Sequence, residues 1–171
     1  KTKVAIDVCA ARWRDDGLRR VLIVAPKSVL PSWKQEFAAH CAAPHQVFVL
    51  EPPWDESAKL LEAMPANDAL QVVVINYEAT WRIEPALADW RPQLIIANES
   101  QRIKDASAKQ SKAMHRLGRL AKWRMILTGT PVTQAPLDFF SQYKFLDPAI
   151  FGNSYYAFRG RYAVTHPQFK S

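Results

Sequence analysis

The chain has 171 residues, 49% of them hydrophobic and 23% charged, the balance of one globular domain able to bury a sizeable core. Lysine and arginine outnumber aspartate and glutamate 23 to 16, and the resulting net charge of +7 draws such a domain toward a polyanion, with nucleic acid the economical candidate. No apolar run approaches the roughly 20 residues that span a bilayer, no signal peptide opens the chain, and two cysteines, Cys9 and Cys41, build no disulfide framework, so the expectation is a cytoplasmic protein without a membrane partner.

Lys1-Thr2 leads directly into Val4, Ala5, Ile6, Val8 and Cys9, a pattern that predicts a largely buried helix ended by Gly17. A P-loop finishes in Gly-Lys-Thr or Gly-Lys-Ser at a helix N-terminus, and a Lys-Thr pair at the head of a helix fits either that or an ordinary chain end. Val21 to Ala25, rich in β-branched residues and closed by Pro26, is the first strand. After Lys27 and Ser28, either Ser28 or Ser32 can cap a helix on which Leu30, Trp33, Phe37 and Ala38 recur at helical spacing, with Trp33 expected in the core. Val47 to Leu50 reads as a short strand, Pro52-Pro53 as an irregular turn, and Ser57 to Met64 as a surface helix. Val72 to Ile75 is a third buried strand, leaving through Asn76-Tyr77-Glu78, where packing of Tyr77 over the sheet edge is favoured.

Leu94 to Ala97 has the unbroken apolar character of a strand buried on both faces of a parallel sheet, and it ends abruptly in Asn98-Glu99-Ser100-Gln101. Ligands of open α/β sheets bind at the carboxyl ends of strands, so Glu99 is a candidate for chemistry, the alternative being a solvated turn. Ser107 to Leu120 predicts a basic helix carrying Lys109, Lys112, Arg116 and Arg119 outward and Met114, Leu117 and Leu120 inward. Arg124 to Leu127 reads as another buried strand, followed by Thr128-Gly129-Thr130-Pro131, where the glycine permits a tight turn between two hydroxyls. Leu137 to Leu146 predicts an amphipathic helix leading into Phe145-Leu146-Asp147-Pro148-Ala149-Ile150-Phe151-Gly152. In the last stretch, from Tyr155, arginines and tyrosines interleave; helical spacing favours packing over base stacking. Strands and helices alternate throughout, so the fold class is α/β, three layers around a mostly parallel sheet.

Taken in order, VLIVAPKSVLPSW, INYE, LIIANESQRIKD, ILTGTP and FLDPAIFG resemble the first RecA-like lobe of the Snf2 family of helicase-like, DNA-translocating ATPases, over nearly the whole chain. The resemblance implies a P-loop NTPase lobe over residues 1–152 and, over 153–171, the start of a segment leading toward a second lobe. It implies that Lys1 and Thr2 are the last two residues of the P-loop, with Lys1 on the terminal phosphates of ATP and Thr2 on Mg²⁺. Asn98, where the family has aspartate, falls on the same ion, and Glu99 orients or deprotonates the attacking water. Thr128, Gly129 and Thr130 form the motif that couples the nucleotide site to the DNA track. Lys27, Ser28, Tyr77, Arg102 and Lys104 are the implied contacts to double-stranded DNA. A further implied partner is the second RecA-like lobe of the same parent chain, whose arginine, like the P-loop glycines, lies outside these residues; the 171 residues alone are therefore expected not to hydrolyse ATP. Such a protein works in the nucleus of a eukaryote or on the nucleoid of a bacterium or phage. Asn98 keeps open a different class, a degenerate lobe that binds DNA or a protein partner and hydrolyses nothing. A restriction translocase subunit is a third reading, against which Leu-Thr-Gly-Thr-Pro and Phe-Leu-Asp-Pro speak. One geometric expectation follows from the strand exits: Lys1, Asn98, Glu99 and Thr128 share one edge of the sheet.

Overall fold

Five runs of mostly apolar, mostly β-branched or leucine-rich sequence form the strands, and every pairing between them is parallel. The computed structural model describes residues 1–132 and 136–163. In chain order come α1 (Thr2–Asp16), β1 (Arg20–Ala25), α2 (Leu30–His40), β2 (His45–Val49), α3 (Trp54–Ala63) and β3 (Leu70–Asn76). A single turn, α4 (Tyr77–Thr80), and α5 (Glu84–Trp90) precede β4 (Leu94–Asn98). After them come α6 (Lys109–Leu120), β5 (Trp123–Leu127), α7 (Phe139–Leu146), the single turn α8 (Pro148–Phe151) and α9 (Tyr155–Tyr162). Spatially the strands run β2-β3-β1-β4-β5, so β1 lies in the middle with Val21 against Val72 on one side and Leu94 on the other.

Because successive strand residues face opposite ways, the sheet divides its side chains between two cores. Leu22, Val24, Val73, Ile75, Ile95 and Ala97 pack under α5, α6 and α7 with Leu87, Met114, Leu117 and Phe145. Val21, Ile23, Val72, Val74 and Ile96 pack under α1 and α2 with Ile6, Trp33 and Phe37. β1, β3 and β4 are thus covered on both faces, which is why their sequences show no polar alternation.

Several expectations are corrected. The first helix buries only Ala5, Ile6 and Cys9 fully and leaves Val4 exposed, since only one of its faces meets the sheet. Gly17 ends it as expected, in the left-handed conformation that a residue without a Cβ adopts freely. Neither Ser28 nor Ser32 caps α2: Lys27–Val29 form a 3₁₀ turn, Val29 is the cap residue, and the Ser32 hydroxyl donates back to the Val29 carbonyl at 2.7 Å. Ala38 faces outward. Leu120 is 61% exposed, and His115 occupies the inward face instead, its ring nitrogen 2.9 Å from the Ser141 carbonyl oxygen. β5 is an edge strand and its residues are half-buried, not buried. Cys9 is fully buried, and burial, with Cys41 a lesser cause, pushes its thiol up to about 12; Cys41 is half-buried.

Of the α9 aromatics, Phe158 packs against Phe140 and Phe151 and Tyr162 against Phe151, as helical spacing suggests, whereas Tyr156 is 82% exposed and does not follow that expectation. The rest of that stretch, 164–171, lies outside the described residues.

Candidate functional site

The parallel sheet brings the ends of β4 and β5 side by side, Asn98 paired with Leu127, so the polar residues that follow each strand leave on the same edge. Glu99 turns there with φ 56° and ψ 58°, a left-handed conformation that costs a residue with a Cβ on the order of 1–3 kcal/mol and that concentrates at functional sites. Its carboxylate is 3.8 Å from the Lys1 ammonium, and its other oxygen accepts a hydrogen bond of 3.0 Å from the Gln101 side-chain amide. The Gln101 carbonyl oxygen in turn accepts from the Thr128 hydroxyl at 2.8 Å, and Thr128 Oγ1 accepts from the Thr130 N–H at 3.0 Å. Gly129 lies over Lys1; a Cβ there would stand 3.2 Å from the ammonium, so the absent side chain makes room for that group.

Lys1, Asn98, Glu99 and Thr128 therefore do gather at one edge, and Gln101, which the sequence reading did not single out, is the link between the acidic turn and the Thr-Gly-Thr turn. A second link runs beneath it. The buried Ser100 hydroxyl donates to Gln142 on α7 at 2.6 Å, and the Gln142 amide donates to the Pro131 carbonyl at 2.7 Å. The position of Gln101 within the quoted motif is a signal for the first link; nothing in a lone Gln142 signals the second.

The lysine stands at the start of α1, whose first N–H groups have no intrahelical partner and no side-chain cap. With a lysine side chain that is 52% exposed, this end suits the phosphates of a nucleotide. Metal ligation is weaker. Thr2 and Asn98 offer neutral oxygens, Glu99 is already engaged by Lys1 and Gln101, and no group of three or more His, Cys, Asp or Glu gathers among the described residues. Magnesium at such a donor set is held jointly with nucleotide phosphates or not at all.

Next to this edge a cleft of about 630 Å³ opens at the ends of β1 and β3, lined by Lys27, Ser28, Asn76, Glu78, Arg82 and Arg102. Arg102 is 3.6 Å from Glu78 across it. Arg82, unassigned in the sequence, adds a third cation. Lys104 lies apart, lining a neighbouring cleft of about 490 Å³ and 3.8 Å from Asp138. Tyr77 is 1% exposed, so the structure removes it from any DNA-contacting surface. Its hydroxyl donates to the Asn98 carbonyl at 2.9 Å, and burial, then the charge of Glu99, pushes its pKa well above the usual phenol value. Tyr77→Phe is expected to leave that carbonyl unsatisfied at a cost of about 1 kcal/mol. A thermal melt should record this as a fall of about 2–4 °C; an unchanged melting temperature means that the bond does not brace β4.

Three comparisons bear on this geometry. The SNF2-related domain family matches residues 5–166. The DNA repair and recombination protein RAD54B of Gallus gallus is 30% identical over 137 residues, 80% of this chain and 14% of that protein. The ISWI chromatin-remodeling complex ATPase ISW2 of Saccharomyces cerevisiae is 31% identical over 135 residues, 78% of this chain and 12% of that protein. A solved structure, the Sulfolobus solfataricus SWI2/SNF2 ATPase core in complex with dsDNA, matches at a TM-score of 0.77 and 27% identity, covering 95% of this chain and 32% of that chain. The chain thus spans no more than 32% of any of these three relatives. The all-parallel sheet is accordingly a RecA-like α/β fold. Matched over nearly its whole length, this chain belongs to the SNF2-related domain family.

Proposed function

We propose that the chain is the ATP-binding lobe of an Snf2-like motor that couples ATP hydrolysis to movement on double-stranded DNA. The observation that carries this reading is the connected series Lys1, Glu99, Gln101, Thr128 on the carboxyl edge of the sheet, beside a cleft lined by Lys27, Arg82 and Arg102. When bound, magnesium-ATP supplies the phosphoryl group and a neutralising cation. Lys1 binds the terminal phosphates through its ammonium, and Thr2 and Asn98 present oxygens toward the ion. Glu99 orients water and accepts its proton at a carboxylate oxygen. Gln101 passes any shift of Glu99 to Thr128, so a change at the nucleotide is felt where β5 ends. Residues 1–152 are the lobe proper, and 153–171 begin the segment toward a second lobe of the same parent chain. Catalysis is shared with that lobe, and the 171 residues alone turn over no ATP; DNA-stimulated phosphate release by this chain by itself would overturn the sharing. Work on DNA places the protein in the nucleus or on the nucleoid.

Asn98 favours a second reading, in which the lobe binds DNA or a partner and hydrolyses nothing, because a neutral amide replaces the carboxylate expected to hold the metal. Turnover distinguishes them: DNA-stimulated ATP hydrolysis by the full-length protein that is lost in Lys1→Ala supports the motor, whereas no hydrolysis at all leaves the second reading.

DNA binding is expected to be independent of sequence and to weaken steeply with salt. Replacing Lys27 and Arg102 together by glutamine should make the slope of log affinity against log salt shallower by about 1 per residue. Affinities for random duplexes at two ionic strengths check this, and an unchanged slope would remove the cleft from the DNA path.

A further inference from the structure

One buried side chain on α7 touches both turns of the nucleotide edge. The Gln142 oxygen accepts from the Ser100 hydroxyl at 2.6 Å, and its amide nitrogen donates to the carbonyls of Pro131 and Asp138, at 2.7 and 3.0 Å. Ser100 directly follows Glu99, and Pro131 closes the Thr-Gly-Thr-Pro turn, so a single planar amide spans the acidic turn, the turn after β5 and the residue before α7. Gln142 and Ser100 are both fully buried. A leucine would occupy nearly the same volume beside the buried Phe145 without the desolvation that the amide must offset by finding these partners.

The packing of α7 does not depend on that amide. Phe145 lies in the core, the Ser141 carbonyl oxygen is 2.9 Å from the His115 ring nitrogen on α6, and Arg124 on β5 donates to the Leu146 carbonyl at 2.7 Å. On its other side α7 carries the segment that follows it. Phe140 meets Tyr155 and Phe158 of α9, with ring centroids 5.5 and 5.3 Å apart, and Tyr143 meets Phe151 of α8 at 5.0 Å. What Gln142 adds to this support is the attachment of α7 to residues 100 and 131.

We propose, resting on the motor reading above, that Gln142 is a positioning residue: it holds the acidic turn and the Thr-Gly-Thr-Pro turn in one register with α7. Buried hydrogen bonds in a low-dielectric interior tolerate little displacement, so a shift of Glu99 that moves Ser100 is met at α7 as well as at Thr128. Through the aromatic contacts of α7, the same amide sets where α8 and α9 stand relative to the nucleotide edge.

The test compares the full-length protein with its Gln142→Leu and Ser100→Ala/Gln142→Leu variants. The single variant leaves the Ser100 hydroxyl buried without a partner and should melt about 2–6 °C lower, whereas the double variant removes both groups and should recover most of that loss. In both, kcat for DNA-stimulated ATP hydrolysis is expected to fall by at least about tenfold with KM for ATP nearly constant. Amide hydrogen exchange at residues 128–130 should be faster than in the unaltered protein, in the double variant too. A kcat that recovers together with the melting temperature would reduce Gln142 to a packing residue and overturn the proposal, as would unchanged exchange at residues 128–130. Absence of DNA-stimulated turnover in the unaltered protein would instead defeat the motor reading, and the exchange measurement would still decide whether Gln142 holds the two turns.

Discussion

Glu99→Gln in the full-length protein is expected to lower DNA-stimulated ATP turnover by a factor on the order of 10²–10⁴ while nucleotide affinity stays nearly constant. Glutamine keeps the shape of the side chain and can still accept the hydrogen bond from Gln101, so the link to Thr128 survives. What disappears is the charge 3.8 Å from Lys1 and the capacity to take a proton from water. With the phosphates assigned to Lys1 and the head of α1, as proposed, binding should be spared, or even tightened once the competing carboxylate is neutral. Steady-state ATPase and nucleotide titration on the same preparation separate the two effects. Turnover that persists in the variant would mean that another group activates the water and that Glu99 serves only to anchor Lys1.

The second large effect concerns the residue before it. Asn98→Asp is expected to raise DNA-stimulated turnover in the full-length protein by at least about tenfold, or roughly 1.4 kcal/mol of barrier, with little change in melting temperature. An asparagine presents one neutral oxygen and two donor hydrogens, whereas aspartate presents two anionic oxygens to a hard cation. The fold should be indifferent, since the main role of Asn98 in packing is its backbone carbonyl, which accepts from Tyr77 whatever the side chain. Rates at saturating magnesium and DNA decide it. Equal turnover for the two proteins would mean that the metal is held without a carboxylate at this position, and a gain confined to low magnesium would place the effect in metal affinity alone.

Which parts of this arrangement can be read without coordinates depends on how local their cause is. Val21–Ala25, Val72–Ile75 and Leu94–Ala97 are legible because a strand covered on both faces must be apolar throughout, and each shows it. Met125, Ile126 and Leu127 look the same in sequence, yet β5 has a neighbour on one side only, and no local pattern tells an edge from a centre. Leu120 is exposed because the inward stripe of α6 runs through Met114, Leu117 and the following Ala121, while His115, given no role from sequence, finds a carbonyl on α7, twenty-six residues away in the chain. The gathering of Lys1, Glu99 and Thr128 follows from strand exits in a parallel sheet and was foreseeable; the Ser100–Gln142–Pro131 link depends on how α7 crosses the sheet edge, and was not. The burial of Tyr77 shows the limit from the other direction. An aromatic residue at a strand exit can serve a ligand or the core, and only the position of the Asn98 carbonyl decides between them.

The place of β1 at the middle of the sheet has a consequence for how the chain is made. Val21 waits for Val72 on one flank and for Leu94 on the other, so neither side of this strand can be closed until synthesis has moved well beyond it. During that interval Val21–Ala25 is an apolar segment with two open hydrogen-bonding edges, the form in which a nascent chain is most prone to join another. A ribosome carrying this domain therefore exposes an apolar, sheet-forming segment early and buries it late.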